Sequence, residues 1–368
     1  MWAHSTQELL KFGTSRSKFL RKGRVMADSD IDLKPTLAKV VEGNSLSESE
    51  AEKAFDIIMS GDATPSQIGA LLMALRLRGE TVEEITGAAR TMRTKATHIS
   101  APEGAMDIVG TGGDAIGTHN VSTATALVVA GCGVPVAKHG NRAFTSKSGA
   151  ADVLSVLGVD LDTDFKNVER AIVEANIGFL FASRHHGAMR NVGPTRVEMG
   201  VRTIFNILGP LSNPAFVKRL LVGTFDRKWV EPMATVLGKL GAERAWVVHG
   251  ADGMDELTTT GPSFVAALEH GQVSTFEVSP EEAGLARASL NDLKGGNPKE
   301  NANAIRTMLS GERGSLRDIV ALNAAAALIV AGKATDLRTG VVLAAKSIDD
   351  GSAMAALEKL ISITGNVV

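Results

Sequence analysis

The sequence predicts an α/β protein in which a small helical N-terminal domain precedes a larger α/β domain with a central, mostly parallel sheet. Residues 33–97 carry only helical periodicity, whereas short apolar runs alternate with helical stretches from residue 105 onward, a pattern typical of βα units. The chain has 368 residues, more than one ordinary domain of about 100–200 residues. We therefore expect a helical domain at 33–100 and an α/β domain at 101–368.

Three helix starts mark the helical domain. Ser47 and Glu50 have the spacing of a capping box, Thr64-Pro65 places a proline in the first turn of the next helix, and a further helix begins near Thr81. After the capping box, apolar residues recur at the spacing of one helix face. These residues are Ala51, Ala54, Phe55, Ile58 and Met59.

Seven short apolar runs predict the strands of the α/β domain. They span residues 106–109, 134–138, 178–181, 220–223, 245–249, 264–268 and 273–278, and helices are expected at 122–130, 166–175, 322–331 and 353–363. The last strand is predicted to add a hairpin at the edge of the sheet. Residues 186–214 show no strand pattern and cluster Gly and Pro. We interpret them as a helical excursion that packs on the helical domain and places a cleft between the two domains.

Composition indicates which kinds of molecule the protein is expected not to bind. The formal charge is −2 and the pI is near 6.5, whereas a nucleic-acid-binding domain typically has a pI above about 9. The longest apolar stretch, 124–137, is interrupted by glycines and is shorter than the roughly 20 residues of a membrane span. Cys132 is the only cysteine, which fits a reducing compartment. We expect no nucleic acid, no membrane and a cytoplasmic location.

The first 25 residues differ in charge from the rest. They contain six Lys or Arg residues against one acid, Glu8. A start rich in Ser and Arg is compatible with an organelle transit peptide. The alternatives are a disordered extension or a true start at Met26. We expect residues 1–32 to be an extension outside the fold.

A glycine-rich segment follows the first predicted strand. Gly110, Gly112 and Gly113 precede a helix that starts at about Ser122. Glycines let backbone N–H groups converge on an anion, and a helix N-terminus adds partial positive charge. The segment predicts a phosphate or pyrophosphate cradle, and an ordinary βα turn is the alternative. It also fits a loose dinucleotide pattern, but the second predicted strand ends in Lys138 where NAD binding requires an acidic residue. NADP is not excluded by this position.

A second and a third polar segment also follow predicted strands. Residues 138–149 combine Lys138 and Arg142 with glycines and hydroxyl side chains, which is typical of a flexible loop that grips a polyphosphate at the carboxyl end of a strand. Asp255 and Glu256 lie on a glycine-rich loop after a later strand, and such carboxylates suit Mg²⁺. A solvated basic loop and a surface turn are the respective alternatives. We expect the loops after three neighbouring strands to enclose one magnesium-bridged diphosphate.

The excursion supplies a fourth candidate. His186 and Arg196 lie near the predicted cleft, and an arginine fork can bind a carboxylate. A structural histidine and a salt-bridged arginine are the alternative.

Several blocks together resemble the anthranilate phosphoribosyltransferases. They are Gly110-Thr-Gly-Gly-Asp114, Asn120-Val-Ser-Thr-Ala124, Lys138-His-Gly-Asn-Arg142, the run from Arg202 to Pro214, and Asp255-Glu256. The resemblance extends from about Leu33 to the C-terminus. It implies a nucleoside phosphorylase/phosphoribosyltransferase-like fold and a homodimer formed through the helical domain. It also implies a Mg²⁺-dependent transfer of the 5-phosphoribosyl group from phosphoribosyl pyrophosphate (PRPP) to the amine of anthranilate, in tryptophan biosynthesis.

The same resemblance implies the site residues. PRPP is expected at Gly110, Gly113, Asp114, Thr118, Asn120, Val121, Ser122, Thr123, Lys138, His139, Gly140, Asn141, Arg142, Ser146 and Ala150. Anthranilate is expected at Gly110, Asn141, His186 and Arg196, and Mg²⁺ at Ser122, Asp255 and Glu256. No residue is assigned as a general base, because the aniline nitrogen needs none; His119 and His139 are possible proton carriers.

Three positions depart from the family pattern. Gly187 stands where many members have Pro, Ser183 replaces the Pro of a Phe-Ala-Pro pattern, and Ala150 replaces a Ser. Two related functions are alternatives. A pyrimidine nucleoside phosphorylase would carry Lys-His-Ser-Thr-Gly-Gly, which is missing after Lys138. A non-catalytic nucleic-acid-binding relative would lose the carboxylates and gain a basic surface, whereas Asp255 and Glu256 are present.

Overall fold

The computed structural model describes residues 32–113, 116–143 and 148–365, and the chain from Leu33 onward forms one compact unit. The α-helices are α1 Lys34–Val41, α2 Glu48–Ser60, α3 Pro65–Arg78, α4 Val82–Thr94, α5 Val121–Gly131, α6 Ala150–Leu157, α7 Phe165–Glu174, α8 Ala182–His185, α9 Gly193–Met199, α10 Phe205–Leu208, α11 Val230–Lys239, α12 Pro298–Leu309, α13 Ser315–Val330, α14 Leu337–Asp349 and α15 Ser352–Thr364. The strands are β1 Met106–Gly110, β2 Val136–Gly140, β3 Ile177–Phe181, β4 Arg219–Gly223, β5 Arg244–Gly250, β6 Ser263–Glu269 and β7 Gln272–Val278.

Helix caps define the N-terminal helices. The predicted capping box at Ser47 is confirmed, because Ser47 N donates to Glu50 Oε2 at 2.8 Å and Glu50 N donates to Ser47 Oγ. Equivalent boxes start α3 at Thr64 and α4 at Thr81. Each box satisfies amide groups that the first turn of a helix leaves without a partner. The three predicted helix starts therefore coincide with α2, α3 and α4.

The seven strands form one sheet in the order β3-β2-β1-β4-β5-β6-β7. Strands β1 to β5 pair in parallel, and β6 and β7 add antiparallel pairs at one edge. The predicted mostly parallel sheet and its edge hairpin are confirmed. The chain builds outward from β1 to β3 on one side and then returns to place β4 and β5 on the other. In open α/β sheets, ligands bind beyond the carboxyl ends of the strands at such a switch point.

Two apolar cores cover the two faces of the sheet. On one face, helices such as α5 and α13 pack on the strands. On the other face, residues of α2 to α4 belong to the same core as β4 and α11. Because this core is continuous, the division into separate domains near residue 100 stays a prediction.

The segment after β3 lies against the N-terminal helices. Asn191 Nδ2 donates to Met59 O at 2.8 Å, and the rings of Phe205 and Phe55 are 5.6 Å apart. Helix α9 packs on α3. The segment thus connects the end of β3 with the helical layer. Over the described residues, no helix is long and apolar enough to cross a membrane.

The contact between α2 and α4 depends on one glycine. A Cβ at Gly87 would overlap the backbone oxygen of Glu48 and lie 2.8 Å from Ala51 Cβ. We expect Gly87→Ala to lower the free energy of unfolding by about 1–3 kcal/mol because the two helices must separate.

The matched control is Gly69→Ala in α3, where the new Cβ would be in ordinary contact, 3.8 Å from its nearest neighbours. Alanine in a helix interior should raise stability there by about 0.5–1 kcal/mol. Urea unfolding of both variants measures the difference. Equal stability of the two variants would contradict the packing argument.

Candidate functional site

The glycine-rich turn after β1 connects to α5. Gly112 and Gly113 have φ angles of +67° and +75°, which glycine adopts without strain. Helix α5 begins at Val121 immediately after the turn, and within the described residues no side chain caps it. Its N-terminus is therefore available to an anion. Thr118, Asn120, Ser122 and Thr123 lie in this turn or the first turn of α5.

Lys138 lies inside β2 and is only 2% exposed. Its Nζ donates to Ile108 O at 2.6 Å and lies 3.4 Å from Ser122 Oγ. Burial lowers the pKa of Lys138, while the nearby Asp107, Glu256 and Asp255 raise it. Lys138 lies in the strand, as the run at 134–138 predicted, but the prediction of a flexible loop directly after it is wrong for His139 and Gly140, because β2 extends through Gly140. The lysine amine is buried and is held by Ile108 O close to the first turn of α5.

The carboxylate loop reaches the glycine-rich turn across the end of β4. Asp255 Oδ2 accepts a hydrogen bond from Gly112 N at 2.7 Å. A Cβ at Gly223, the last residue of β4, would overlap Asp255 O, and one at Gly110 would overlap Asp255 Oδ2. We expected the three loops to follow three neighbouring strands. This expectation is wrong, because β4 lies between β1 and β5. The crossing is possible because Gly110 and Gly223 have no Cβ.

The position of this loop is also held from behind. Leu257 N donates to Asn323 Oδ1 at 3.0 Å, and Asn323 Nδ2 donates to Leu257 O at 2.8 Å. Burial raises the pKa of Asp255, while the Gly112 amide, Lys138 and Arg202 lower it. The carboxylate is thus kept close to cations and an amide donor.

A buried carboxylate lies beneath the turn. Asp107 accepts from His139 N at 3.0 Å and from Asn213 Nδ2 at 2.8 Å. Burial raises the pKa of Asp107 to about 6, although Lys138 and Asn213 oppose the shift. Asn213 also donates to Ala137 O. The network joins β1, β2 and the segment before β4.

Strand β2 ends at Gly140, and the segment after it begins with Asn141. A Cβ at Gly140 would lie 2.8 Å from the ring of Phe179. Asn141 Oδ1 accepts from Arg142 N at 2.9 Å and from Ser183 Oγ at 3.1 Å. One of the three departures from the family pattern, Ser183, therefore contacts a predicted anthranilate residue.

Arg142 is held at the start of α6. Its Nη1 lies 3.0 Å from Asp152 Oδ1, and its guanidinium lies 5.6 Å from the Phe181 ring centroid. Ala150 is the first residue of α6. Asp114 and Ser146 lie outside the described residues.

Two buried histidines connect β2 with the excursion. His139 Nε2 and His186 Nε2 are 3.2 Å apart, and His139 Nδ1 lies 3.2 Å from Gly209 O. Burial lowers the pKa of His186 to about 4 and lowers the pKa of His139 well below its usual value. Both rings are therefore neutral at pH 7.

Arg196 lies on α9 and its guanidinium is 5.4 Å from the Phe205 ring centroid. Burial lowers the pKa of Arg196. Over the described residues, no hydrogen bond joins Arg196 to Asn141 or His186. The structure brings His139 and His186 together, whereas Arg196 approaches from a separate helix.

The donor set fits a hard divalent cation. Ser122, Asp255 and Glu256 offer oxygen atoms, which Mg²⁺ prefers. Lys138 is within the field of both carboxylates. These residues could hold Mg²⁺ together with a substrate phosphate.

Sequence reasoning missed several residues that build this site. Arg202 donates to Gly113 O and lies 4.2 Å from the Phe225 ring centroid. Asp107 and Asn323 were also missed as supports. A signal existed for Asp107, since it is the one charged residue in an apolar run that predicts a buried strand. None existed for Asn323, which is 66 residues from its partner Leu257.

Comparisons with known proteins agree with the fold. Residues 34–96 match the helical bundle domain, and residues 102–354 the a/b domain, of a glycosyl transferase family. An anthranilate phosphoribosyltransferase from Rhodopseudomonas palustris (strain HaA2) is 61% identical over 334 residues, which are 91% of this chain and 99% of the relative.

Solved structures give the same result. The anthranilate phosphoribosyltransferase of Thermus thermophilus is 46% identical, with a TM-score of 0.85 over 89% of this chain and 98% of that one. The enzyme of Saccharomyces cerevisiae, solved in complex with PRPP and Mg, is 28% identical, with a TM-score of 0.81 over 91% of this chain and 99% of that one. Sequence and fold agree over nearly the whole length of these proteins, and the chain belongs to the anthranilate phosphoribosyltransferase family.

Proposed function

We propose that this protein transfers the 5-phosphoribosyl group from PRPP to the amine of anthranilate, giving N-(5-phosphoribosyl)anthranilate and pyrophosphate in tryptophan biosynthesis. The hydrogen bond between Gly112 N and Asp255 Oδ2 carries the proposal. It brings a carboxylate loop and a phosphate-type turn together beside the buried Lys138. Family membership supplies the identity of the two substrates.

PRPP would occupy the glycine-rich turn. Lys138 Nζ lies 3.4 Å from Ser122 Oγ in the first turn of α5, and an amine and a helix N-terminus placed together can stabilise developing negative charge. Ser122, Asp255 and Glu256 would hold Mg²⁺, which when bound offsets charge on the leaving pyrophosphate. The PRPP contacts proposed for Gly110, Gly113, Asp114, Thr118, Asn120, Val121, Thr123, His139, Gly140, Arg142, Ser146 and Ala150 follow the family pattern.

Anthranilate would lie between the turn and the excursion, at Gly110, Asn141, His186 and Arg196. The Arg196 guanidinium can pair with the substrate carboxylate. Neutral His186 presents no charge that would compete with Arg196. The aniline nitrogen forms a bond to the anomeric carbon as the bond from that carbon to pyrophosphate breaks, and the amine then loses a proton to solvent. No general base is assigned, since positioning accounts for much of the rate.

The similar proteins do not favour the alternatives of a pyrimidine nucleoside phosphorylase or a nucleic-acid-binding protein. The similar proteins from Rhodopseudomonas palustris, Thermus thermophilus and Saccharomyces cerevisiae are all anthranilate phosphoribosyltransferases. None of the three is a pyrimidine nucleoside phosphorylase or a nucleic-acid-binding protein. The carboxylates that a non-catalytic relative would lose are present in the site.

We also propose a homodimer formed through the helical layer. Val41 at the end of α1 and Leu77 near the end of α3 are 71% and 81% exposed, and α1 packs on α3. Exposed large apolar residues on adjacent helices are typical of an interface. Light scattering distinguishes the dimer from a monomer.

We also propose a cytoplasmic location, because the chain has a single cysteine, Cys132, which fits a reducing compartment.

The proposed reaction can be tested directly. Full-length protein mixed with anthranilate, PRPP and Mg²⁺ should consume anthranilate, and omission of either PRPP or Mg²⁺ should stop the loss of its fluorescence. The control reaction contains thymidine and phosphate. Folded protein that cleaves thymidine but leaves anthranilate unchanged would refute the transferase proposal and favour the phosphorylase.

The metal assignment has its own test. Replacing both carboxylates, Asp255→Asn with Glu256→Gln, should reduce kcat/KM at least about 10²-fold, because the amides cannot supply negative oxygen ligands to Mg²⁺.

The control replaces an exposed neighbouring pair, Glu281→Gln with Glu282→Gln, and removes the same charge outside the site. Steady-state kinetics at several Mg²⁺ concentrations compare the two. Retention of wild-type kcat/KM by the Asp255/Glu256 variant would rule out these residues as the metal ligands.

A further inference from the structure

The segment before α12 packs against the glycine-rich turn through backbone contacts. His119 N donates to Leu293 O at 3.2 Å, and Gly295 N donates to Gly117 O at 3.0 Å. Between them, Thr118 pairs with Lys294 in an isolated antiparallel bridge. A Cβ at Gly295 would lie only 2.5 Å from Thr118 O. Backbone therefore rests on backbone, and a side chain at position 295 would displace the turn.

Asn301, on the helix that follows this segment, is 1% exposed and uses both ends of its amide. Its Oδ1 accepts from Gly296 N at 2.7 Å, and its Nδ2 donates to Asn120 Oδ1 at 2.8 Å. The acceptor end is set by a backbone N–H, which can only donate. The donor end must consequently point at Asn120.

Asn120 carries the connection to a second part of the predicted PRPP site. Its Oδ1 also accepts from Ser148 Oγ at 3.1 Å, and its Nδ2 donates to Ser148 O at 3.2 Å. Ser148 lies two residues before α6. One side-chain amide thus joins the residue before α5 to Ser148, and Asn301 and the Ser148 carbonyl oxygen fix the same orientation of that amide.

We propose that Asn301 is a positioning residue for PRPP. By donating to the Asn120 amide, it helps to hold Asn120 beside Ser148 before the substrate binds. Because these residues are ordered during folding, PRPP binding does not include the entropic cost of ordering them. The inference rests on the proposed function, because it takes the segments that contain Asn120 and Ser148 as the PRPP site.

The chemistry at position 301 requires an amide. In Asn301→Asp, a carboxylate oxygen can still accept from Gly296 N, but the other oxygen cannot donate to Asn120 Oδ1. Rotating the Asn120 amide would restore that bond and turn its oxygen toward Ser148 O, so that two acceptors would face each other. Either orientation of Asn120 leaves two acceptors facing each other, at the buried position 301 or at the partly buried Ser148.

The test compares steady-state kinetics of the full-length wild type, Asn301→Asp and Asn301→Ala. We expect KM for PRPP to rise by about tenfold, the effect of leaving one buried hydrogen-bonding group without its partner, while KM for anthranilate changes less than about twofold. Ile305→Val is the matched control, because Ile305 is buried on the same face of α12 one turn later. It should lower the melting temperature without changing KM for PRPP.

A second comparison asks whether Asn301 acts through Asn120. In an Asn120→Ala background, Asn301→Ala should add no further rise in KM for PRPP. An equal rise in both backgrounds, an unchanged KM in Asn301→Asp, or the same rise in Ile305→Val would overturn the inference while wild-type turnover upheld the proposed function. A folded wild type without turnover would overturn both.

Discussion

The site depends on one close crossing of backbone. The loop after β5 passes over the end of β4 at Gly223 and brings Asp255 to the Gly112 amide at 2.7 Å. Because β4 separates β5 from β1, the loop must pass over β4 to bring this carboxylate to the glycine-rich turn. Gly223 and Gly110 have no side chains to obstruct the passage. The parallel sheet therefore brings the phosphate-type turn and Lys138 together, and the crossing adds the acidic groups.

Buried charge is the second constraint. Lys138, Asp107 and Asp255 all lie in the interior near the carboxyl ends of the strands, where each isolated charge would be costly. Lys138 offsets part of that cost for both carboxylates, as the opposing influences on their pKa values indicate. Hydrogen bonds from Asn213 and His139 N to Asp107, and from Gly112 N to Asp255, also stabilise these carboxylates. A cluster of this kind favours a fixed arrangement, which suits a reaction that depends on positioning.

Much of the fold could be predicted from local patterns, because strands, capping boxes and glycine turns depend on residues close in sequence. Ser47, Thr64 and Thr81 start helices as predicted. Lys138 was predicted at the end of its strand, but its burial could not be predicted, because a lysine is tolerated in a buried strand only where acidic groups distant in sequence lie nearby and a carbonyl accepts from its amine. Asn301 lies 181 residues from Asn120, and no local pattern connects them. Long-range supports of this kind become visible only when the fold is known.

The crossing at Gly223 can be tested by one substitution. Gly223→Ala should push the carboxylate loop away from Gly112, and isothermal titration calorimetry with PRPP and Mg²⁺ measures the consequence. We expect Gly223→Ala to lose PRPP binding and to keep a cooperative melting transition. Gly261→Ala, where a Cβ meets open space, should bind as the wild type does. Wild-type affinity in Gly223→Ala would contradict the claim that this crossing assembles the site.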